Sequence, residues 1–177
     1  NNISNIYNSD SLFVYLDSEN NLIELSNEVW FGNFINDEND LEIIHLENNQ
    51  FISDDFQIQF EYEPSTGLSI ADVDKDGLDE IIFADKDGKI VAYNGNGSLV
   101  NGFPFGDSYY GIVLAVSDRD SEDLILICRN SSHIDIIDLK GDIISLPALD
   151  LNSDIMVVND LLYDGKRFYN LDSDDSF

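Results

Sequence analysis

Short apolar segments separated by polar turns recur along the chain. In the clearest stretch, an apolar segment, an Asp-rich loop, a strongly apolar run, a polar turn and an alternating segment follow one another. Apolar runs of this length, bounded by turn residues, predict β-strands. The predicted strands and connections are Leu68–Ala71, the loop Asp72–Glu80, Ile81–Ala84, the turn Asp85–Lys89 and Ile90–Tyr93. Because no segment sustains a helical apolar period, the sequence predicts an all-β fold with almost no helix.

The same order of features returns after 44 residues, where residues 67–97 lie on residues 111–141 without a gap. Apolar positions and aspartates match in one register: Ile81 falls on Ile125, and Asp74 falls on Asp118. Weaker copies flank this pair, with predicted hairpins at 11–25 and 41–52, an apolar run at 154–158 and a stretch at 163–170 that echoes residues 87–94.

Regular repetition of short strands is typical of β-propeller blades with three or four strands each. We therefore predict a β-propeller or partial propeller of about four to five short-stranded blades. The prediction treats residues 1–177 as a single repeat domain with its clearest repeats at 67–105 and 111–143. The chain has no initiator Met, so we interpret it as a mature segment or a fragment of a longer protein.

The strongly negative net charge limits the classes of molecule that the chain is expected to bind. The chain carries 36 Asp and Glu against 8 Lys and Arg, a formal net charge of −28, while 43% of its residues are hydrophobic. Such a charge repels nucleic acid and anionic membranes, and no apolar run approaches the roughly 20 residues that a membrane span requires. We therefore expect neither partner, and we expect bound cations. Cys128, the single cysteine, lies in an apolar run and is predicted to be a buried hydrophobe.

The loop Asp72–Glu80 contains the most specific chemistry. Carboxylates stand at loop positions 1, 3, 5 and 9, and a glycine at position 6 permits a sharp turn. Hard oxygen ligands at this spacing suit Ca²⁺, which accepts six to eight oxygens. The expected ligands are the side chains of Asp72, Asp74, Asp76 and Glu80 and the backbone carbonyl of Leu78. Asp79 is expected either to serve a second role or to face solvent, and a solvated polar turn is the alternative interpretation of the whole loop.

An EF-hand is excluded on two counts. It requires a bidentate Glu at position 12, where this loop has Phe83. It also requires flanking helices, whereas the residues after the loop predict a buried strand.

Residues 67–84 resemble an FG-GAP repeat of the integrin-α type and the related VCBS-type repeats of bacterial surface and secreted proteins. Asp87–Tyr93 and Gly102–Phe105 continue the pattern; the resemblance is close over residues 67–105 and partial over residues 111–143. It implies that the loop joins two strands of a blade and holds a structural Ca²⁺ through Asp72, Asp74, Asp76, Leu78 and Glu80. The second loop has Val116 and Leu124 at positions 1 and 9 and Ser121 in place of the glycine, so we expect it to bind metal weakly or not at all.

The resemblance implies a non-catalytic interaction or adhesion scaffold, extracellular or at the cell surface, whose ligand is a protein or a glycan. Two alternatives stay open: an accessory propeller of a secreted enzyme, and a carbohydrate-binding lectin propeller. No enzyme is predicted. His45 and His133 each stand alone without partners at zinc-ligand spacing, and no histidine follows residue 133 that could activate a serine nucleophile at Gly106-Asp107-Ser108.

Overall fold

The protein is all-β. A computed structural model describes residues 6–9, 12–16, 22–25, 29–35, 42–47, 50–53, 56–65, 67–117, 124–138, 140–147, 156–158, 161–163 and 166–170. Within these ranges there are strands and turns but no helix, which confirms the prediction of an all-β fold with almost no helix. It follows that, within the same ranges, no helix is available that could cross a membrane.

The strands are β1 (Ile6–Ser9), β2 (Leu12–Leu16), β3 (Leu22–Leu25), β4 (Val29–Gly32), β5 (Glu42–Glu47), β6 (Gln50–Ile52), β7 (Gln57–Gln59), β8 (Ser69–Ala71), β9 (Glu80–Ala84), β10 (Ile90–Tyr93), β11 (Tyr110–Ser117), β12 (Leu124–Arg129), β13 (His133–Asp138), β14 (Ile143–Pro147), β15 (Met156–Val158), β16 (Leu161–Tyr163) and β17 (Phe168–Asn170). They form sheets of order β1-β2-β3, β4-β5-β6-β7, β10-β9-β8, β11-β12-β13-β14 and β15-β16-β17. Both predicted N-terminal hairpins are confirmed, as antiparallel pairs β2–β3 and β5–β6. Among the described residues none of these sheets closes on itself.

The chain divides into two compact units. Unit 1 comprises Asn1–Glu63, Ile70–Ile81 and Ala92–Phe103, and unit 2 comprises Pro64–Ser69, Ile82–Val91 and Pro104–Phe177. The loop Asp72–Glu80 and every contact described for it below belong to unit 1.

An aromatic core lies on one face of the sheet β4–β7. Strand register places Ile44, Phe51 and Ile58 on the same face, because alternate residues of a strand point the same way. All three are at most 2% exposed. The Phe51 ring meets the rings of Trp30 and Phe60 edge-on, at centroid distances of 6.3 Å and 4.1 Å. This edge-to-face geometry is the one that aromatic pairs favour.

The sheet β8–β10 contains the most deeply buried strands. Every residue of β9 and β10 is buried, as a continuous apolar run predicts for a strand covered on both faces. The predicted strands Ile81–Ala84 and Ile90–Tyr93 are thus confirmed, the first starting one residue earlier, at Glu80. The turn between β9 and β10 has Gly88 at φ 85°, and the Asp85 carboxylate accepts hydrogen bonds from the Asp87 and Lys89 amides. This is the hairpin that Asp87-Gly88 predicts.

In unit 2, two sheets share a core. Ile127, Ile134, Ile136 and Leu146 of the sheet β11–β14 pack with Leu162 of β16. Strand alternation puts Leu162 on the covered face of the sheet β15–β17, whereas its neighbour Leu161 is 42% exposed. Cys128 is 1% exposed, so its predicted burial is confirmed.

The two adjacent leucines of β16 test this register. Leu162→Ala should lower the free energy of unfolding by about 2–5 kcal/mol, because it opens a cavity in a packed core. Leu161→Ala, the matched control, should cost less than about 1 kcal/mol. Denaturant unfolding of both variants measures the difference. A larger loss at Leu161 would mean that β16 is shifted by one residue, since such a slip exchanges the two faces.

Candidate metal site in the Asp72–Glu80 loop

The loop turns sharply between β8 and β9. Gly77, at loop position 6, has φ 92°, a conformation in which a glycine avoids the strain of a Cβ atom. Lys75 also has a positive φ, 63°. The sequence predicts the glycine turn. It does not predict the left-handed conformation of Lys75, which costs roughly 1 kcal/mol of backbone strain.

Backbone amides fix the aspartates of the loop. The two oxygens of Asp72 accept hydrogen bonds from the Asp76 and Gly77 amides, at 3.2 Å and 3.1 Å. Asp74 accepts a second hydrogen bond from the Asp76 amide at 3.1 Å. The loop therefore wraps its own N–H groups around carboxylates, an arrangement typical of Asx turns.

Three of the predicted ligands come together. One carboxylate oxygen from each of Asp72, Asp74 and Glu80 lies within 4.8 Å of the other two, so the three together could hold a metal ion. Asp74 is exposed, Asp72 is partly buried and Glu80 is fully buried. The site is therefore anchored inside unit 1 and is open to solvent at one end.

Glu80 is the unusual member of this group. Its Oε2 accepts a hydrogen bond from the Val73 amide at 2.8 Å, but its Oε1 is buried without a hydrogen-bond partner. Burial raises the pKa of the Glu80 carboxyl to about 7; the Val73 hydrogen bond opposes the shift, and the charges of the three loop aspartates add to it. A cation beside Oε1 would supply the missing partner and favour the ionised form. The donor set therefore fits a metal ion on chemical grounds.

The remaining predicted ligands are placed differently. Asp76 lies outside the group of three, and its Oδ1 accepts a hydrogen bond from the Leu78 amide at 2.8 Å. The Leu78 carbonyl stays a predicted ligand. The copied loop with Asp118 and Asp120 falls outside the described residues, so its expected weak or absent metal binding also stays a prediction.

Asn33 and Asp79 connect the loop to the end of β4. The Asp79 carboxylate accepts a hydrogen bond from the Asn33 amide at 2.8 Å, and the Asp79 amide donates to the Asn33 carbonyl at 2.6 Å. The Asn33 side chain donates to the Gly77 carbonyl at 3.3 Å. Asp79 therefore has a second role, the contact with Asn33, and does not simply face solvent. Nothing in the sequence signals Asn33, which lies 46 positions away.

Both histidines lie outside the metal group of the described residues. His45 Nε2 is 4.0 Å from Glu47 Oε2. His133 in unit 2 contacts Ser132 Oγ through Nδ1 at 2.8 Å and Asp135 Oδ1 through Nε2 at 3.1 Å.

The raised pKa of Glu80 predicts an unusual pH dependence. In metal-free protein the folded state keeps the Glu80 proton up to about pH 7, whereas the unfolded chain releases it near 4.5. The folded state thus binds more protons in this window, and its free energy of unfolding falls as the pH rises. Relative to Glu80→Gln, which lacks this titration, the wild type should lose about 3 kcal/mol between pH 4 and pH 8.

Chemical denaturation with chelator present, at each pH, measures this difference. Comparison with Glu80→Gln cancels the contributions of the other carboxylates. A difference that does not change with pH would contradict the assignment of Glu80 as a buried, unpaired acid.

No model of a protein family matches the chain, and no curated protein matches it in sequence. The interpretation of the loop therefore rests on its own geometry: three converging carboxylates, one of them buried with an unpaired oxygen.

Proposed function

We propose that the chain is a non-catalytic interaction scaffold of the FG-GAP, integrin-α-like kind, stabilised by Ca²⁺ in the loop Asp72–Glu80. The observation that carries this proposal is the convergence of Asp72 and Asp74 on the fully buried Glu80, whose Oε1 has no hydrogen-bond partner. An unpaired buried carboxylate oxygen is costly, and a bound cation removes that cost.

Calcium fits this donor set better than other common ions. All three converging groups are carboxylates, hard oxygen donors that suit Ca²⁺ or Mg²⁺, whereas Zn²⁺ favours nitrogen and sulfur. Ca²⁺ takes six to eight oxygens in an adaptable shell, which leaves room for the Leu78 carbonyl, Asp76 and water. Mg²⁺ demands near-ideal octahedral geometry, which a loop held by many backbone hydrogen bonds is poorly suited to provide.

The propeller architecture is supported by the positions of the strands. Shifted by 44 residues, β8, β9 and β10 fall within β11, β12 and β13. Consecutive antiparallel sheets of three or four strands are the usual form of propeller blades. On this proposal the ion is structural: it fixes a loop between two strands of a blade, and the ligand is a protein or glycan held by blade loops.

The net charge of −28 supports the same assignment. It disfavours nucleic acid and anionic membranes as partners and favours an environment that supplies divalent cations. We place the protein outside the cell or at its surface, where free calcium is abundant enough to saturate a site of modest affinity.

Calcium should stabilise the wild-type protein. At a free concentration one hundred times its dissociation constant, it should raise the free energy of unfolding by about 2.7 kcal/mol relative to chelator. Asp74→Ala should remove most of this shift, because it deletes a converging carboxylate. Asp87→Ala is the matched control: it deletes an exposed aspartate in the β9–β10 turn and should leave the shift intact.

Thermal or denaturant unfolding with calcium, magnesium and chelator makes the comparison. Identical unfolding curves with and without calcium would refute the metal assignment. An equal or larger stabilisation by magnesium would refute the choice of ion.

A further inference from the structure

The contact between Asn33 and Asp79 joins the metal loop to the end of β4. Three hydrogen bonds make it: Asn33 amide to Asp79 Oδ2, Asp79 amide to Asn33 carbonyl, and Asn33 Nδ2 to the Gly77 carbonyl. The first two join the same residue pair in opposite directions, one from a main-chain amide to a side-chain carboxylate and one between main chains, so together they fix both position and orientation. We call this pair and its three hydrogen bonds the clamp.

The side chains of Asp79 and Glu80 point to opposite sides of the peptide that joins them. Glu80 opens β9 and turns its carboxylate back to the Val73 amide and the metal group. Asp79, the residue before it, turns its carboxylate to Asn33. Consecutive side chains at the start of a strand point to opposite sides. One peptide unit therefore connects the residue whose buried oxygen faces the metal group with the residue that contacts Asn33.

At its other end the clamp is attached to a rigid core. The residue after Asn33, Phe34, is 1% exposed, and its amide donates to the buried carboxylate of Glu42 at 2.7 Å. Gly95 lies directly against the main chain of Phe34, because a Cβ atom on Gly95 would be only 2.2 Å from the Phe34 carbonyl oxygen. Trp30, three residues before Asn33, packs against Phe51. Asn33 is therefore continuous along the chain with residues of the aromatic core of the sheet β4–β7.

The Asn33 side chain is not placed for stability alone. Its Nδ2 reaches the Gly77 carbonyl, but its Oδ1 is buried with no hydrogen-bond partner. A buried acceptor without a donor costs free energy that one long hydrogen bond of 3.3 Å does not offset. What the amide achieves is to hold Gly77, the residue whose left-handed turn folds the aspartates together.

We propose that Asn33 and Asp79 are positioning residues of the metal site, which set the geometry of the loop Asp72–Glu80 and couple ion binding to the sheet β4–β7. This inference rests on the proposed function. It adds that the affinity for calcium depends on two residues that contribute no ligand, and that the ion stabilises a sheet to which none of its ligands belongs.

The protein's single tryptophan, Trp30, makes the coupling measurable. Calcium is titrated into wild type, Asp79→Ala and Asp79→Asn, with binding followed by isothermal titration calorimetry and coupling by Trp30 fluorescence. Asp79→Ala should weaken calcium binding by about tenfold or more, as loss of a group that orients metal ligands does. The Trp30 response should disappear in this variant even at calcium concentrations that saturate the site.

Asp79→Asn is the matched control, because it removes the same charge but keeps an oxygen that can accept from the Asn33 amide. It should bind calcium more tightly than Asp79→Ala does and should keep the Trp30 response, because the hydrogen bond from the Asn33 amide is retained. Equal affinities in Asp79→Ala and Asp79→Asn would overturn the inference, because the effect would then be one of charge or none at all. Calorimetric binding in wild type without a Trp30 response would also overturn the coupling.

If Asp79→Ala does not fold, two other measurements test the inference. They are calcium binding by Asn33→Ala and hydrogen exchange of the Asn33 amide in the wild type. The inference expects weaker calcium binding in Asn33→Ala and slower exchange of that amide with calcium bound. Wild-type affinity in Asn33→Ala, or exchange that calcium does not slow, would overturn the inference. Absence of any calcium binding by the wild type would instead refute the proposed function, and the inference with it.

Discussion

Glu80 brings a carboxylate into the interior of unit 1, beside two aspartates that carry the same charge. Placing an acid there is unfavourable twice over, because burial and like charges both oppose ionisation, and together they raise the pKa of Glu80. Only one of its oxygens is satisfied by the protein, through the Val73 amide. Asp72 and Asp74 converge on it from the loop, and β9 begins at it. Ionising Glu80 without a partner for its Oε1 therefore costs free energy.

Carboxylates elsewhere in the chain are used in a related way. Asp85 accepts from two amides in the β9–β10 turn, Asp138 accepts from two amides in the β13–β14 turn, and Glu42 accepts from Phe34. Turns leave backbone N–H groups without ladder partners, and an adjacent carboxylate satisfies them at short range. Part of the acidity of this chain is thus structural, independent of any ion. A single divalent cation would offset only two of the 28 net negative charges.

In unit 2 a buried acid is satisfied by neighbouring side chains. Asp135, 4% exposed, accepts hydrogen bonds from the Tyr109 and Ser145 hydroxyls, and His133 Nε2 lies 3.1 Å from its Oδ1, so both its oxygens have partners. Burial, together with this hydrogen bond, raises the pKa of Tyr109 and keeps it a donor. The contrast with Glu80 is chemical: Asp135 is satisfied by neighbouring side chains, whereas Glu80 retains an oxygen that neither backbone nor side chain reaches.

The sequence by itself determined several strands and turns and the three carboxylates that converge in the loop, because each is encoded locally. Apolar runs predict Ile81–Ala84 and Ile90–Tyr93, and the spacing within nine residues is sufficient to bring Asp72, Asp74 and Glu80 together. It did not reveal that the Asp76 carboxylate lies outside that group and accepts a hydrogen bond from the Leu78 amide. Only the tertiary structure decided the pairing of Asn33 with Asp79 and of Tyr109 with Asp135, which are 46 and 26 positions apart. Such contacts depend on how sheets are connected and packed, and strand periodicity contains no information about which distant residue a side chain will meet.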